Sequence, residues 1–390
     1  MRNNTFMIQN AAIYLDYNAT TPCDPLVVEK MRPYFSEIYG NPSNSLHRQG
    51  RKAAKAVDEA RDQVAELISA DPKEIYFTSG ATESNNLAIF GIARLSQKND
   101  RRCIVTCQVE HKAVLLPCKK LEHEGFEIVF LPVDSGGRVH VKDAISAIDD
   151  KTLLVSIQAA NNEIGTLQPI AEISDIAHKH GAWIHTDAAQ AVGKIPVDVD
   201  DLGVDLLSMS AHKLYGPKGI GALYIRGGTR NIPIEPLILG GGQESGLRSG
   251  TTNVPAIVGF GEACRIVSKK QPEEGIRIAG LRAQLELALM ENISSLRING
   301  DCVQRLPNTS SLTFPGVDAD ALLLNLPDVM MGTGSACTSG AIEPSHVLQA
   351  IGLNRDDASS TIRASLGRYT TDIDIQRACL LIGEALKTLS

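Results

Sequence analysis

The alternation of short apolar runs with amphipathic stretches constrains the fold of this chain more than any other feature. It continues to about residue 265, with turns rich in Gly, Asn and Asp between the runs. Such alternation predicts an α/β fold in which helices cover both faces of a mostly parallel sheet. The predicted strands include Ile75–Thr78, Cys103–Thr106, Ile128–Pro132, Leu153–Gln158, Trp183–Asp187 and Leu206–Met209. The predicted helices include Arg51–Ser69, Ser84–Arg94, Val114–Glu124 and Ile170–His180.

The pattern changes after residue 265, where the polar stretch SKKQPEEGIR precedes a predicted amphipathic helix over Ile278–Asn292. A chain of 390 residues exceeds the roughly 250–300 residues at which a single core stops growing. We therefore expect a large domain over residues 16–265. Residues 1–15 and 266–390 are expected to form a smaller α+β domain that carries a cysteine-containing loop at 331–343.

Charge and composition exclude several classes of protein. The net charge is −7 and the basic residues are spread along the chain, which argues against a nucleic-acid partner. The first residues, MRNNTFMIQN, lack the apolar core of a signal peptide. No run approaches the ~18 apolar residues that a membrane span needs. We expect a cytoplasmic protein without a membrane partner.

The segment IYFTSGATESNN combines a strand, a turn that contains glycine and the start of a helix. Free backbone N–H groups at such a start, together with the hydroxyl of Thr82, are typical of an anion site. The same letters also fit an ordinary helix cap, in which Ser or Thr closes the first turn. This segment by itself does not decide between the two.

Two later segments place a carboxylate and an amine at strand ends. Asp187 closes the strand in WIHTDAAQAVGK, where it is either a helix cap or a site residue. Lys213 follows a strand in SMSAHKLYGPKG and precedes a turn rich in Gly and Pro. Burial beside apolar strand ends disfavours the charged form of a lysine and suits it to forming a Schiff base.

The three segments together fit one cofactor, pyridoxal 5′-phosphate. Its phosphate, ring nitrogen and aldehyde require an anion cradle, a carboxylate and an amine. Thr82, Ser210 and His212 are predicted to hold the phosphate. Asp187 would keep the ring nitrogen protonated, which makes the ring an electron sink, and Lys213 would bind the aldehyde.

Cys337 differs in its surroundings from the other seven cysteines, which are scattered and form no C-x-x-C pair. Every residue from Gly332 to Gly340 is Gly, Ser, Thr, Ala or Cys. Such a loop has high backbone freedom and no large side chain to fix it in a core. A buried inert thiol and a zinc ligand both fit this composition poorly, so a reactive thiol is favoured.

Across nearly its whole length, the chain resembles the NifS/IscS group of cysteine desulfurases, which are class V, fold-type I pyridoxal-phosphate enzymes. The motifs that carry the resemblance occur in order and several are six to ten residues long. They are YLDYNATTP, YGNPSN, FTSGATESNN, VEHKAVL, NNEIGTLQPI, HTDAAQAVGK, SAHKLYGPKG, GGGQESGLRSGTTN, GTGSACTS and IRASLGR.

The resemblance implies further roles around the cofactor. His111 would stack on the ring and shuttle protons, whereas an isolated histidine is more often a satisfied core residue. Asn162 and Gln190 would bond the ring oxygen. The backbone at Ala81 and Thr82 would join Ser210 and His212 at the phosphate.

The remaining implied residues concern the substrate and the partner subunit. Asn162 and Arg363 would bind the substrate, with the guanidinium of Arg363 holding a carboxylate. Thr251 would reach the phosphate in a neighbouring subunit, which implies a homodimer.

The implied reaction removes sulfur from L-cysteine, leaving L-alanine and a persulfide on Cys337 for a sulfur-acceptor protein such as an iron–sulfur scaffold. tRNA thiolation and DNA phosphorothioation are alternative destinations, and transient ligation of an iron–sulfur cluster by Cys337 is left open. Two rival functions are another class V reaction, such as transamination or selenocysteine lysis, and a non-catalytic cofactor-binding or sulfur-carrier protein.

Overall fold

A seven-stranded sheet forms the centre of the protein in the computed structural model, which describes residues 12–95, 100–333 and 344–389. The strands follow the order β2-β8-β7-β6-β5-β3-β4. β8 runs antiparallel to both neighbours, and the other adjacent pairs are parallel. The strands are β2 (Ile75–Thr78), β3 (Cys103–Cys107), β4 (Glu127–Leu131), β5 (Thr152–Ser156), β6 (Trp183–Asp187), β7 (Leu206–Ser210) and β8 (Gly221–Ile225).

Helices cover both faces of this sheet, as predicted. Successive residues of a strand point to opposite faces, and here they enter different cores. Val105 belongs to one apolar cluster and its neighbour Ile104 to another. The helices up to residue 202 are α1 (Pro25–Met31), α2 (Pro33–Ser36), α3 (Arg48–Leu67), α4 (Ala81–Ala93), α5 (Lys112–His123), α6 (Val141–Ala147), α7 (Ile170–Lys179) and α8 (Val199–Leu202).

A smaller α+β unit packs around a separate apolar cluster that includes Leu312 and Ile362. Its antiparallel sheet has the order β12-β10-β9, and β1 pairs in parallel with β11. The strands are β1 (Ile13–Tyr14), β9 (Arg297–Asn299), β10 (Thr309–Thr313), β11 (Val329–Met330) and β12 (Thr361–Ser365). The remaining helices are α9 (Val254–Asn292), α10 (Ala319–Leu324), α11 (His346–Ala350), α12 (Arg355–Ser359) and α13 (Asp372–Leu389).

The polar stretch after residue 265 is helical rather than a connection. α9 begins at Val254, not at Ile278, and Pro272 lies inside it. Its first half contributes Phe260 to the large core and its second half contributes Leu281 to the small one. One helix therefore serves both cores, and packing outweighs the local composition. The division of the chain near residue 265 stays a prediction.

The antiparallel strand β8 was not predicted from the sequence. It lies between β2 and β7. Gly221 allows this close approach, because a Cβ atom there would lie 2.4 Å from the carbonyl oxygen of Met209 and 2.6 Å from Cα of Gly80. β8 thereby holds the turn after β2 beside the end of β7. Within the described ranges, no helix is both long and apolar enough to cross a membrane.

Candidate active site

A cavity of ≈ 550 Å³ lies at the carboxyl ends of β2, β3, β6 and β7. This is the edge at which α/β sheets bind ligands. Residues from eight separate segments meet there, and ten of the twelve predicted site residues line the cavity. The ten are Ala81, Thr82, His111, Asn162, Asp187, Gln190, Ser210, His212, Lys213 and Arg363.

One part of the cavity lining, which we call the phosphate wall, consists of the turn 80–82, Ser210 and His212. Gly80 has a φ of 152°, a value that favours glycine, and precedes α4. The first N–H groups of a helix have no partner within it. The hydroxyl of Ser210 has no hydrogen-bond partner among the described residues, although the residue is buried. These unpaired donors fit a phosphate group.

His212 adds a neutral imidazole to the phosphate wall. Its Nδ1 lies 3.1 Å from Oγ1 of Thr20. Burial lowers the pKa of His212 to about 4, and the positive charges of Lys213, Lys218 and Lys194 act in the same direction. A bound dianion would offset this repulsion.

Asp187 lies at the end of β6 and is 7% exposed. Its Oδ1 accepts a hydrogen bond from the backbone N–H of Ala189 (3.0 Å), and its Oδ2 accepts one from Nδ2 of Asn85 (2.6 Å). The carboxylate closes a turn and caps no helix. Asn85 was missed by the sequence reasoning, although it lies in FTSGATESNN one helical turn after Ala81.

The hydrogen bonding of His111 fixes its tautomer. The residue caps α5, and its Nδ1 accepts a hydrogen bond from the backbone N–H of Ala113 (3.1 Å). Nδ1 therefore carries no proton, so the neutral ring carries its proton on Nε2. Burial lowers the pKa of His111, while Asp187 partly opposes the shift and Lys213 adds to it. A neutral imidazole in the cavity wall can donate a proton from Nε2.

Another part of the cavity lining is formed by Asn18, Gln190 and Lys213. Lys194 contacts Asn18 and Gln190 from outside this lining, and we call the four residues together the junction wall. Nζ of Lys213 donates to the carbonyl oxygens of Asn18 and Ala19, the latter at 2.8 Å. Nε2 of Gln190 donates to the same carbonyl of Asn18 at 3.0 Å. Asn18 and Lys194 were not singled out from the sequence, although both lie in motifs of the resemblance.

The side chain of Asn18 joins the large and small units. Its Nδ2 donates to the carbonyl oxygen of Asn162 (3.1 Å) and to Oγ1 of Thr309 on β10 (2.8 Å). Its Oδ1 accepts from Nζ of Lys194 (2.7 Å) and from Nδ2 of Asn308 (3.0 Å). Four hydrogen bonds from one buried side chain thus hold the cavity floor against β10.

Arg363 reaches the cavity from β12 and is 3% exposed. Its Nη1 donates to the carbonyl oxygen of Asn162 (3.0 Å), and its Nη2 donates to Oδ1 of Asp16 (2.6 Å). A guanidinium carries five N–H groups, so these two bonds orient it and leave donors for a ligand. Its Nε is buried without a hydrogen-bond partner among the described residues.

Two predicted residues lie elsewhere. Thr251 is exposed and does not line the cavity, and its predicted role involves a second subunit. Cys337 lies outside the described residues. The flanking residues that are described contact the cavity segments. Gly332 exchanges backbone hydrogen bonds with Arg363, and the hydroxyl of Ser345 donates to the carboxylate of Glu163 at 2.5 Å, next to Asn162.

The profile of the family described as aminotransferase class-V matches residues 13–378. The chain belongs to this family. The cofactor of the family is pyridoxal 5′-phosphate, and the unpaired donors of the phosphate wall, the carboxylate of Asp187 and the amine of Lys213 fit it. The prediction of a fold-type I α/β architecture is confirmed.

Named relatives agree over most of the chain. A protein of Photorhabdus laumondii named cysteine desulfurase IscS is 48% identical over 379 residues, which are 97% of this chain and 93% of the relative. A solved structure named NifS-like protein has a TM-score of 0.90 at 40% identity and covers 97% of this chain and 100% of its own. Another, named SspA in complex with cysteine, has a TM-score of 0.79 at 39% identity and covers 92% and 100%.

Proposed function

We propose that the protein is a pyridoxal-phosphate-dependent cysteine desulfurase, which converts L-cysteine to L-alanine and retains the sulfur as a persulfide on Cys337. The main support for this proposal is that one cavity combines unpaired hydrogen-bond donors suited to an anion, a buried carboxylate, a lysine and a buried arginine. The names of the relatives at 48% identity and the cysteine named with the SspA structure support this substrate.

The proposed roles follow from the position of each group. The phosphate wall binds the phosphate, Asp187 bonds the ring nitrogen, and Lys213 binds the cofactor covalently. When bound, the cofactor supplies an electron sink for the bonds at Cα of the substrate. His111 would face the ring with its proton on Nε2, and the amine of Lys213 would accept the Cα proton of the substrate.

Substrate binding is assigned to the small-unit side of the cavity. Arg363 and Asn162 hold the carboxylate end of cysteine, because Asp16 and the carbonyl of Asn162 already orient the guanidinium. The contacts of Gly332 and Ser345 support delivery of Cys337 to the same end. The Cys337 thiolate attacks the substrate sulfur, a new S–S bond forms as the Cβ–S bond breaks, and the carbon fragment takes up protons to become L-alanine.

The competing class V reactions differ in their need for this thiol. A transaminase does not use Cys337, whereas persulfide formation requires it.

The proposal also includes a cytoplasmic location and a homodimer, in which Thr251 would contact the cofactor bound by the partner subunit. Large exposed apolar side chains such as Phe35 (66% exposed) and Tyr39 (71% exposed) support a second copy. An iron–sulfur scaffold is the first candidate for the sulfur acceptor, supported by the relative named IscS.

The deciding experiment compares Cys337→Ser, Lys213→Ala and the control Cys302→Ser, an exposed cysteine outside the cavity. We expect Cys337→Ser to keep the visible absorbance of the bound cofactor while alanine release falls by about 10³-fold or more. Lys213→Ala is expected to lose the absorbance of the lysine-bound cofactor. Full alanine release by Cys337→Ser would contradict the sulfur-acceptor role, and an unchanged spectrum of Lys213→Ala would contradict the covalent link.

A further inference from the structure

A second lysine lies beside Lys213, in the turn that follows Asp187. Nζ of Lys194 donates hydrogen bonds to Oδ1 of Asn18 (2.7 Å) and to Oε1 of Gln190. Asn18 accepts from Lys213 on its backbone carbonyl and from Lys194 on its side chain. The two amines thus share one asparagine, yet only Lys213 has a role in the proposed function.

The contact with Lys194 and the bond from Nε2 to the carbonyl of Asn18 together determine which way the amide of Gln190 faces. An amide group offers an acceptor oxygen on one side and two N–H donors on the other. Since Lys194 donates to Oε1, a flipped amide would place its N–H groups against another donor. One N–H of Nε2 bonds the carbonyl of Asn18, so this orientation leaves the second N–H of Nε2 to meet a ligand in the cavity.

The charges around Lys194 are mostly of its own sign. Burial of the amine lowers its pKa well below the usual range, and the positive charges of Lys213 and Arg363 add to this effect. Behind it, a cavity of ≈ 20 Å³ is also lined by Lys213 and Glu274. Glu274 is already paired with Arg368 at 2.7 Å. Among the described residues, both hydrogen bonds of Lys194 go to neutral oxygens, so ion pairing does not explain its position.

We infer that Lys194 is a positioning residue, which holds the Gln190 amide so that Nε2 donates to the anionic ring oxygen of the cofactor. The inference rests on the proposed function, because it needs the ring of the bound cofactor beside Gln190. An N–H donor at this oxygen stabilises its negative charge. Such a donor would favour the deprotonated form of the bound cofactor, so its loss would raise the pH at which the bound cofactor titrates.

The experiment follows the visible absorbance of the bound cofactor against pH in the holoenzyme. We expect Lys194→Met to raise the midpoint of this titration by about one pH unit. Lys194→Arg keeps a donor, so its midpoint should lie close to that of the wild type, which also tests the inference if Lys194→Met folds poorly. Lys179→Met, an exposed lysine of α7, is the matched control and should leave the midpoint unchanged.

A double-variant cycle separates this role from a simple effect of charge. If Lys194 acts through Gln190, then Lys194→Met should add no shift in a Gln190→Ala background. An equal shift in both backgrounds would overturn the inference, as would an unchanged midpoint in Lys194→Met or a shift of a full pH unit in Lys194→Arg.

Failure of the proposed function would look different from failure of this inference. If the wild-type holoenzyme showed no titrating absorbance that depends on Lys213, the proposed function itself would fail. If that absorbance were present and Lys194→Met titrated like the wild type, only the role of Lys194 would be wrong. As a second readout, we expect the affinity of the apo-protein for the cofactor to fall about tenfold in Lys194→Met.

Discussion

The phosphate wall and the junction wall meet at one cavity and are built differently. In the phosphate wall, the hydroxyl of Ser210 has no partner among the described residues, and the N-cap residue of α4, Gly80, makes no side-chain bond to the first N–H groups of the helix. In the junction wall, the side chain of Asn18 makes four hydrogen bonds, all of them to protein groups.

The difference separates the parts that the ligand completes from the parts that the protein completes. Unpaired donors at the phosphate wall lose little when the protein is empty, because water can reach the cavity, and they gain from a bound anion. The junction wall is satisfied without a ligand, so it positions Lys213 and Gln190 in advance. Substitutions at the two walls should therefore separate cofactor affinity from the stability of the apo-protein.

The largest expected effect on stability comes from the junction wall. Asn18→Ala removes four buried hydrogen bonds and leaves Thr309, Asn308 and Lys194 short of a partner. We expect the free energy of unfolding of the apo-protein to fall by about 3 kcal/mol, as measured by denaturant titration. Asn292→Ala, at the exposed end of α9, should change it by less than about 0.5 kcal/mol. If the two substitutions lowered the free energy of unfolding equally, the hydrogen bonds of the junction wall would not be what stabilises the apo-protein.

A substitution in the phosphate wall should lower the affinity for the cofactor and leave the stability of the apo-protein unchanged. Ser210→Ala removes a hydroxyl that has no partner among the described residues, so the apo-protein should keep its stability. Its affinity for the cofactor should fall by about tenfold, because one hydrogen bond to a charged phosphate is lost. Fluorescence titration of the apo-protein with the cofactor measures this change.

The matched control lies two residues away on β7. The hydroxyl of Ser208 lies 3.0 Å from Nε2 of His185, so Ser208→Ala should lower stability and leave the cofactor affinity nearly unchanged. A loss of stability in Ser210→Ala equal to that in Ser208→Ala would mean that the two walls do not differ.

The smallest effect concerns pH. The pKa of His212 is about 4 in the folded chain against an ordinary value of 6.5, so below pH 6.5 the unfolded chain binds a proton that the folded chain does not. Stability therefore falls as the pH falls. Between pH 6.5 and about pH 5 we expect this group to account for about 1 kcal/mol in the apo-protein, after allowing for its partial exposure.

Denaturant titrations of wild type and His212→Asn at the two pH values measure that contribution. The variant should lose less stability on acidification than the wild type. Cofactor binding should reduce the loss in the wild type, because a phosphate supports the charged imidazole. If both proteins lose the same amount, His212 is not held neutral by its surroundings.

Much of the architecture was predictable because the decisive signals are local. Ile75–Thr78 and Trp183–Asp187 have the predicted bounds as strands, since a buried strand is a short apolar run between turn residues. α9 was predicted too short and β8 was missed. In both cases the deciding contacts are with residues distant in the sequence. α9 packs against two separate cores, and β8 lies where it does because Gly221 fits against the turn at Gly80.

The site divides in the same way. The sequence alone determined the family, through motifs that occur in order, and with it the chemical types that meet in the cavity: the amine of Lys213, the carboxylate of Asp187 and the guanidinium of Arg363. Each residue belongs to a contiguous motif, so it can be recognised in the sequence without knowledge of the fold. The relation of Cys337 to the cavity stays a prediction from the sequence.

Only the tertiary structure decided how these groups are held. Asn18 joins residues that are 172 and 290 positions away in the sequence, Gln190 and Asn308. The sequence does not show that Lys194 bonds the oxygen of the Gln190 amide and that the Asn18 carbonyl bonds its nitrogen, and these two contacts set the direction of the amide. Hydrogen bonds depend on distance and angle. The sequence therefore determines which chemical groups are present at the site, and the tertiary structure determines which hydrogen bonds they make.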